Sequence, residues 1–287
     1  MRTLRLATRG SSLALAQTRL VQERLKGLGV ETTIQIVKTR GDQNHTSPLR
    51  EIGGGGLFVR EIELQLQSGQ ADLAVHSGKD LPFELLPGMA VEAAAEAADP
   101  RDCMIFRKDR VLGERPVIGT GSVRRISQCA RLYPGAVFKE IRGNIDTRLR
   151  KLREGEYDAI LLAKAGLDRL GLSLEELDVR IFEPEEFIPA ACQGILAVEC
   201  RRDDEEVFSL LEQMADADTR LRFALERRVF CSLPGDCSVE MGAYARIEGE
   251  RVQLRAMYQG KTCVLKGTRE EAWELAGKVR EALVGVK

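Results

Sequence analysis

The chain has 287 residues, 44% of them hydrophobic, and 43 Lys/Arg against 44 Asp/Glu give a net charge of −1. That length suits two domains with room for a small third, and the composition can bury a core. Aromatic residues, at 5%, are too scarce for base-stacking platforms, and no apolar run approaches the roughly 18 residues of a membrane span.

Leu4–Thr8 alternates like a strand, and Leu13, Ala16, Leu20, Leu25 and Leu28 then recur at helical spacing until Gly29. Arg2, Arg5, Arg9 and Arg19 precede the first acid, Glu23, as in a transit peptide. The strand running straight into a helix reads as fold instead, and with no apolar signal region a cytoplasmic protein is expected. Thr32–Thr39 alternates as a strand. Gly41–Gly56 has no periodicity and ends in four glycines, which fits a binding lid or plain disorder equally well. Leu57–Gln67 reads as a helix and Ala71–Ser77 as a buried strand. This βαβαβ run predicts a parallel sheet covered on both faces.

The pattern restarts after Asp99-Pro100 with Val117–Thr120 (strand), Val123–Leu132 (helix), Val137–Ile141 (strand), Ile145–Arg153 (helix) and Ala159–Ala163 (strand). Ile195–Cys200 adds a late strand, followed by a helix around Val207–Met214. Two such sheets side by side make a cleft, and ligands of open α/β sheets bind beyond the carboxyl ends of the strands. The tail differs: a helix from Thr219 to about Phe230, then strands Ala243–Ile247, Val252–Tyr258 and Thr262–Lys266, and a closing helix Glu270–Leu283. It predicts a small α/β domain with an antiparallel sheet.

Charge is unevenly spread. Residues 101–153 carry fourteen Lys/Arg against five Asp/Glu, and residues 175–218 three against fourteen. The acidic stretch reads as solvated surface. The basic one places arginines at strand-to-helix turns, where helix N-termini also attract anions. Thr8-Arg9-Gly10-Ser11-Ser12, Gly119-Thr120-Gly121-Ser122-Val123-Arg124-Arg125 and Ile141-Arg142-Gly143-Asn144-Ile145-Asp146-Thr147-Arg148 are three such turns lining one cleft edge. Neither a Walker spacing nor Gly-x-Gly-x-x-Gly occurs, so a small polyanion is favoured over a nucleotide or nucleic acid.

Two further residues stand out. Asp80, in His76-Ser77-Gly78-Lys79-Asp80, is a lone carboxylate beside cationic turns, able either to stabilise a developing cation or merely to cap or pair with Lys79. Cys237 lies in a Pro-Gly-Asp-Cys turn, while the other cysteines sit in apolar or helical runs. A turn thiol can be an accessible nucleophile or an inert one. Seven cysteines with no Cys-x-x-Cys pair, beside two histidines, form neither a zinc site nor a disulfide framework, and no metal is expected.

LRLATRGSSLALAQ, VKTRGD, GGGGLFVREIE, ADLAVHSGKDLP, DPRDC, IGTGSVRR, IRGNIDTRL, GEYDAILLAKAGLDRLGL, PAACQGILAVECR and GDCSVEMGAYA follow one another in this chain. The ordered set resembles the porphobilinogen deaminase (hydroxymethylbilane synthase) family. The resemblance implies two periplasmic-binding-protein-like doubly wound domains around a cleft, plus the small C-terminal domain. Its boundaries would be 1–97 and 193–216 for a discontinuous domain 1, 98–192 for domain 2 and 217–287 for domain 3. It also implies condensation of four porphobilinogen molecules, with loss of ammonia, onto a dipyrromethane cofactor thioether-linked to Cys237. Hydrolysis would then release hydroxymethylbilane. Arg9, Ser11, Lys79, Thr120, Ser122, Arg124, Arg125, Arg142, Gly143, Arg148 and Arg169 would bind the acetate and propionate groups, and Gln193 would line the segment returning between the domains. Asp80 would stabilise the azafulvene-like cation. A monomer without membrane or nucleic-acid partners is implied.

The sequence departs from the family pattern at Glu51 and Gly55 in the glycine-rich segment, at Gly78, Gly121 and Asp236. The competing readings are a non-catalytic two-domain anion receptor, which needs no covalent group, and a DNA-binding regulator, for which no basic helix-turn-helix segment exists.

Overall fold

A computed structural model describes residues 2–39, 59–235 and 239–285. Its first lobe is built from β1 (Leu4–Thr8), α1 (Ser12–Gly27), β2 (Thr32–Ile36), α2 (Arg60–Gln67), β3 (Leu73–Ser77) and β4 (Met89–Ala93). The Ser11 hydroxyl caps α1 by accepting the Ala14 N–H at 3.3 Å, and Arg24 and Lys26 sit in its last turn, where the helix dipole favours cations. Gly29, at φ +77°, then turns the chain toward β2, a conformation glycine adopts without steric cost.

The second lobe contains β5 (Asp102–Arg107), β6 (Val117–Gly119), α3 (Val123–Leu132), β7 (Val137–Lys139), α4 (Ile145–Arg153), β8 (Ala159–Ala163), α5 (Lys164–Leu170) and β9 (Leu177–Ile181). The chain then returns to the first sheet as β10 (Leu196–Arg201), followed by α6 (Glu205–Met214) and α7 (Ala217–Ser232). The third unit adds β11 (Met241–Glu248), β12 (Arg251–Tyr258), β13 (Lys261–Thr268) and α8 (Ala272–Val284).

The two large sheets have equivalent orders, β2-β1-β3-β10-β4 and β7-β6-β8-β5-β9. The expected parallel sheet holds for β1 with β2 and β3, and for β6 with β7 and β8. Each sheet is nevertheless mixed. β10 lies antiparallel between β3 and β4, and β5 antiparallel between β8 and β9. In each, the antiparallel strand is the one that has just crossed from the other lobe and so enters from the opposite end. Strands β4, β5 and β9 and helix α5 were not read from the sequence.

Both faces of the first sheet are covered. Leu4, Leu6 and Val198 pack with Val21 and Leu25 of α1 and Leu211 of α6, while Ala7 and Ala74 pack with Ile62 and Leu66 of α2. Each such fully buried leucine or isoleucine contributes about 1.5–3 kcal/mol. The third unit is the expected antiparallel sheet, β11-β12-β13, whose Ala243, Leu254 and Ala256 meet Leu225 and Val229 of α7 and Val279 of α8. No helix among the described residues is long and apolar enough to cross a membrane.

Candidate active site

The crossing between the lobes is where the site begins. The Ala98 N–H donates to Gly194 O at 3.1 Å, and Gln193 Nε2 donates to Pro100 O at 2.6 Å. The outgoing and returning segments are thereby tied together, and fully buried Gln193 is their knot. β3 ends against the same knot. The Gly78 N–H donates to Ile195 O at 2.9 Å, and a single 3-10 turn, Gly78–Asp80, follows. Gln17 of α1 donates to Ser77 Oγ at 2.9 Å.

That turn presents Lys79 and Asp80. Asp80 is exposed, while Lys79 is half-buried and its Nζ donates to Gln193 Oε1 at 3.4 Å. Burial pushes the Lys79 ammonium down to about 8. Arg125 and Arg124 add to the shift, and Asp80 and Asp102 oppose it.

The second lobe contributes the turn after β6. Thr120 is buried and its Oγ1 accepts the Ser122 N–H at 3.2 Å, while Ser122 caps α3 by accepting the Arg125 N–H. Arg124 and Arg125 follow, both buried. Arg124 Nη1 donates to Asp102 Oδ2 at 2.7 Å and to Ile188 O at 2.8 Å; Arg125 Nε donates to Asp102 Oδ1 at 2.8 Å and its Nη1 to Leu161 O at 3.0 Å. Burial pushes the fully enclosed Asp102 carboxyl up, but the two guanidinium groups outweigh it and hold the group well below the usual carboxylate range. Two arginines thus share one carboxylate and leave net positive charge behind the turn. Asp102 appears in the DPRDC segment but was not singled out from sequence; an acid heading an apolar strand was the available signal.

The turn before α4 holds the remaining second-lobe cations. Gly143 has φ +105°, and a Cβ there would lie 2.6 Å from Thr147 Cγ2, so glycine is required. Its carbonyl accepts from Arg148 Nε at 2.8 Å. Burial pushes Arg148 down to about 10, with Arg125 adding to the shift and Asp80 opposing it. Burial likewise takes Arg169 to about 10, and its Nη2 donates to Gly194 O at 2.5 Å on the returning segment. Arg142 pairs with Glu140 at 3.1 Å on the rim. Arg9 and Ser11 stand at the start of α1, which packs on α5 across the cleft. Lys79, Asp80, Arg124, Arg125, Asp102 and Arg148 therefore act on one another. Ser11 is engaged at the α1 cap, Arg142 with Glu140 and Arg169 with the Gly194 carbonyl.

The third unit locks onto the Asp80 turn through α7. Arg227 donates to Pro82 O at 2.7 Å and Phe83 O at 3.2 Å, and Phe230 stacks on Phe83 with ring centroids 4.0 Å apart. Next to Arg227, fully buried Glu226 accepts from Arg222 Nε at 2.7 Å, from the Ala245 N–H at 2.9 Å and from the Cys192 N–H. These residues join β11, α7 and the returning segment, and sequence reasoning missed them because each looks like a surface helix charge. A cavity of about 120 Å³ lies where the three units meet, lined among others by Lys79, Ser122, Arg124, Arg227 and Val239.

Gly78 matters to this closeness. A Cβ there would lie 3.0 Å from Cys192 Cβ and 3.2 Å from Cys192 O. Cys192 itself adopts φ +60°, in the left-handed region that costs a non-glycine residue energy. Cys237 and Asp236, and the 41–56 loop with Glu51 and Gly55, lie outside the described residues. No group of three or more His, Cys, Asp or Glu among the described residues could hold a metal ion.

A family model described as porphobilinogen deaminase, dipyromethane cofactor binding domain, matches residues 4–209. The porphobilinogen deaminase of Roseiflexus sp. (strain RS-1) is 45% identical over 262 residues, 89% of this chain and 85% of that protein. The porphobilinogen deaminase of Streptococcus sanguinis (strain SK36) is 44% identical over 264 residues, 90% of this chain and 86% of that protein. Among solved structures, substrate binding domain 2 of Lactococcus lactis GlnP matches with a TM-score of 0.47 and 9% identity over 74% of this chain and 88% of that one. The periplasmic VFT2 domain of Bordetella pertussis BvgS matches at 0.45 and 15% over 74% and 86%.

Proposed function

This chain belongs to the porphobilinogen deaminase family, and from that premise we propose which of its residues perform the reaction. The enzyme is a transferase, a hydroxymethylbilane synthase. It condenses four porphobilinogen molecules head to tail, with release of ammonia, and releases the linear tetrapyrrole by hydrolysis. When bound, the covalent dipyrromethane cofactor supplies the pyrrole carbon from which the chain grows.

The donor set suits such a polycarboxylate. Lys79, Arg148 and Arg169 are all pushed downward by burial, and Arg125 presses further on two of them. Cations crowded this way are short of counter-charge, which the acetate and propionate groups would provide. In this reading Lys79, Ser122, Arg124, Arg125 and Arg148 hold the groups nearest the reacting carbon. Arg9, Ser11, Arg142, Gly143 and Arg169 hold those further out, and Thr120 and Gln193 fix the turn and the crossing.

Asp80 carries the chemistry, and one observation supports that most. Asp102 is sealed between two arginines, whereas Asp80 stands exposed among the same cations. Its carboxylate would stabilise the positive charge that develops on the substrate's aminomethyl carbon as ammonia departs, and would hold the pyrrole N–H groups in line. Cys237 is the attachment sulfur by the family pattern GDCSVEMGAYA. Val239, just beyond it, lines the same cavity as Lys79, which supports that assignment.

The three functional units are taken as 1–97 with 193–216, then 98–192, then 217–287. Free thiols at Cys103, Cys129, Cys192, Cys200, Cys231 and Cys263 favour a cytoplasmic setting. The large exposed hydrophobics among the described residues, such as Leu20, Val137 and Trp273, lie on separate elements and favour a monomer.

The test is intact mass under denaturing conditions. Protein from a porphobilinogen-producing host is expected to exceed the sequence mass by one dipyrromethane, and Cys237→Ser to remove the excess. An unmodified, inactive wild-type protein overturns the assignment.

A further inference from the structure

Beneath the turn that carries Asp80, three titratable side chains are sealed inside the first lobe. His76 of β3 is 5% exposed, Glu199 of β10 is 0% and Glu63 of α2 is 3%. Antiparallel pairing sets Ala197 opposite His76 and Glu199 opposite Ala74. His76 and Glu199 therefore share a sheet face, and it is the face on which α2 packs.

His76 Nε2 lies 3.1 Å from Glu199 Oε2. Glu63 Oε1 accepts the backbone N–H of Leu86 at 3.0 Å, and the Glu63 carboxyl group also meets that of Glu199. The other Glu199 oxygen, Oε1, is buried and has no hydrogen-bond donor among the described residues. A buried acceptor left without a donor is costly, so this arrangement is incomplete as two carboxylates. It is complete if one of the two acids keeps its proton.

Glu63 is the one placed to keep it. Burial and the facing Glu199 both push its carboxyl group up from the ordinary range, against the opposing pull of the Leu86 N–H and of His76. The groups that face it are therefore Glu199 from β10, His76 from β3 and the Leu86 N–H from the 81–88 segment. We propose that Glu63, Glu199 and His76 form a proton-sharing positioning triad. In it Glu63 is a neutral acid whose hydroxyl donates to Glu199 Oε1, while His76 Nε2 donates to Glu199 Oε2. Every polar atom named is then satisfied.

The consequence reaches the active site through the backbone. His76 enters the Gly78–Asp80 turn from β3, and Leu86 lies on the segment that leaves it. The triad thus fastens both ends of the turn to α2 and β10. All three are buried behind the turn and not presented to the cleft, so they act as positioning residues for Asp80. This kinetic role rests on the reading of Asp80 given above; the shared proton does not.

Infrared difference spectroscopy on the holoenzyme at neutral pH tests the proton directly. The wild type is expected to show the carbonyl stretch of a protonated carboxyl group, shifted in D2O and absent from Glu63→Gln. The side-chain amide of the Glu63→Gln variant can donate to Glu199 and accept from Leu86, so its kcat and KM are expected within about twofold of wild type. Glu63→Leu removes the donor, and kcat is expected to fall by about tenfold or more while KM for porphobilinogen moves by less than about twofold. A wild type lacking the protonated-carboxyl band overturns the proposal, and so does a Glu63→Gln as damaged as Glu63→Leu or a Glu63→Leu with normal kcat. Should Glu63→Leu fail to fold, the spectra and kinetics of wild type and Glu63→Gln still decide. A fully active Asp80→Asn would sink the Asp80 assignment and leave the infrared result standing, so the two failures are distinguishable.

Discussion

Lys79 and Asp80 are neighbours in the chain and opposites in surroundings. Asp80 is exposed in the cleft, whereas the Lys79 ammonium is held within protein beside Arg125. If Asp80 acts on charge that develops as ammonia leaves, Asp80→Asn should spare substrate binding and slow turnover. The expected loss in kcat is about 10²–10³-fold at a nearly unchanged KM, by analogy with the removal of one preorganised electrostatic group. Steady-state kinetics with near-normal kcat would remove Asp80 from the mechanism. For Lys79 the sign follows from a folded-state value lowered to about 8. The cost of burying its charge is fully present below that pH and is relieved as pH rises from there toward the ordinary lysine value. Anion binding runs the other way, because the neutral amine holds carboxylates poorly. KM for porphobilinogen is therefore expected to rise as pH passes about 8, and Lys79→Arg, charged throughout, to flatten the rise. An identical pH profile in the arginine variant would show that another group titrates.

Among the elements, the decisive contact is the end of β3 against the segment that returns as β10. Gly78 and Cys192 occupy one space there, and the missing side chain of one admits the Cβ of the other. Gly78→Ala is expected to destabilise by about 1–3 kcal/mol through overpacking. In a Cys192→Gly background part of that loss should vanish, since glycine clears the Cβ contact and accepts φ +60° without strain, while the backbone oxygens of residues 192 and 195 remain close. Denaturant unfolding of the four proteins measures the coupling, and additive losses would refute it. The same scale shows what periodicity can reveal. α1, α3 and α4 announce themselves by helical spacing and by the caps Ser11, Ser122 and Asn144, all within a few residues of the helices they start. β5 gives no such cue. Its Asp102–Phe106 stretch is apolar on both faces after the first residue, because α-helical and sheet neighbours bury it from each side. Met89–Ala93 hides for a similar reason in an alanine-rich run.

Across the whole molecule, two lobes and a third unit converge on one set of cations that repel one another. Glu226 and Arg227 fasten the third unit to that point, through the Cys192 N–H on one side and the Pro82 and Phe83 carbonyls on the other. A bound polycarboxylate should therefore stabilise the entire chain by neutralising the cluster. Holoenzyme is expected to melt at a higher temperature than cofactor-free Cys237→Ser, since the tethered carboxylates meet the crowded cations only when the chain is folded. The gap should narrow as added salt screens the repulsion in the empty site. Equal melting temperatures at low salt would show that the cations are not waiting for anions.

What the residue order determined by itself was local and repetitive: two βα series, a hairpin-like tail, and turns rich in hydroxyls, glycine and arginine. The ordered motifs also led to the family. These are legible because caps, turns and alternation depend on neighbours a few positions apart. The tertiary structure alone decided which strands enter each sheet backwards, and that Arg124 and Arg125 close upon Asp102 while Asp80 remains open to the cleft. It alone brought Glu63, His76 and Glu199 into one buried space. The reason is that the state and partner of a buried charge depend on everything within a few ångströms of it, and those neighbours come from segments far apart in the chain.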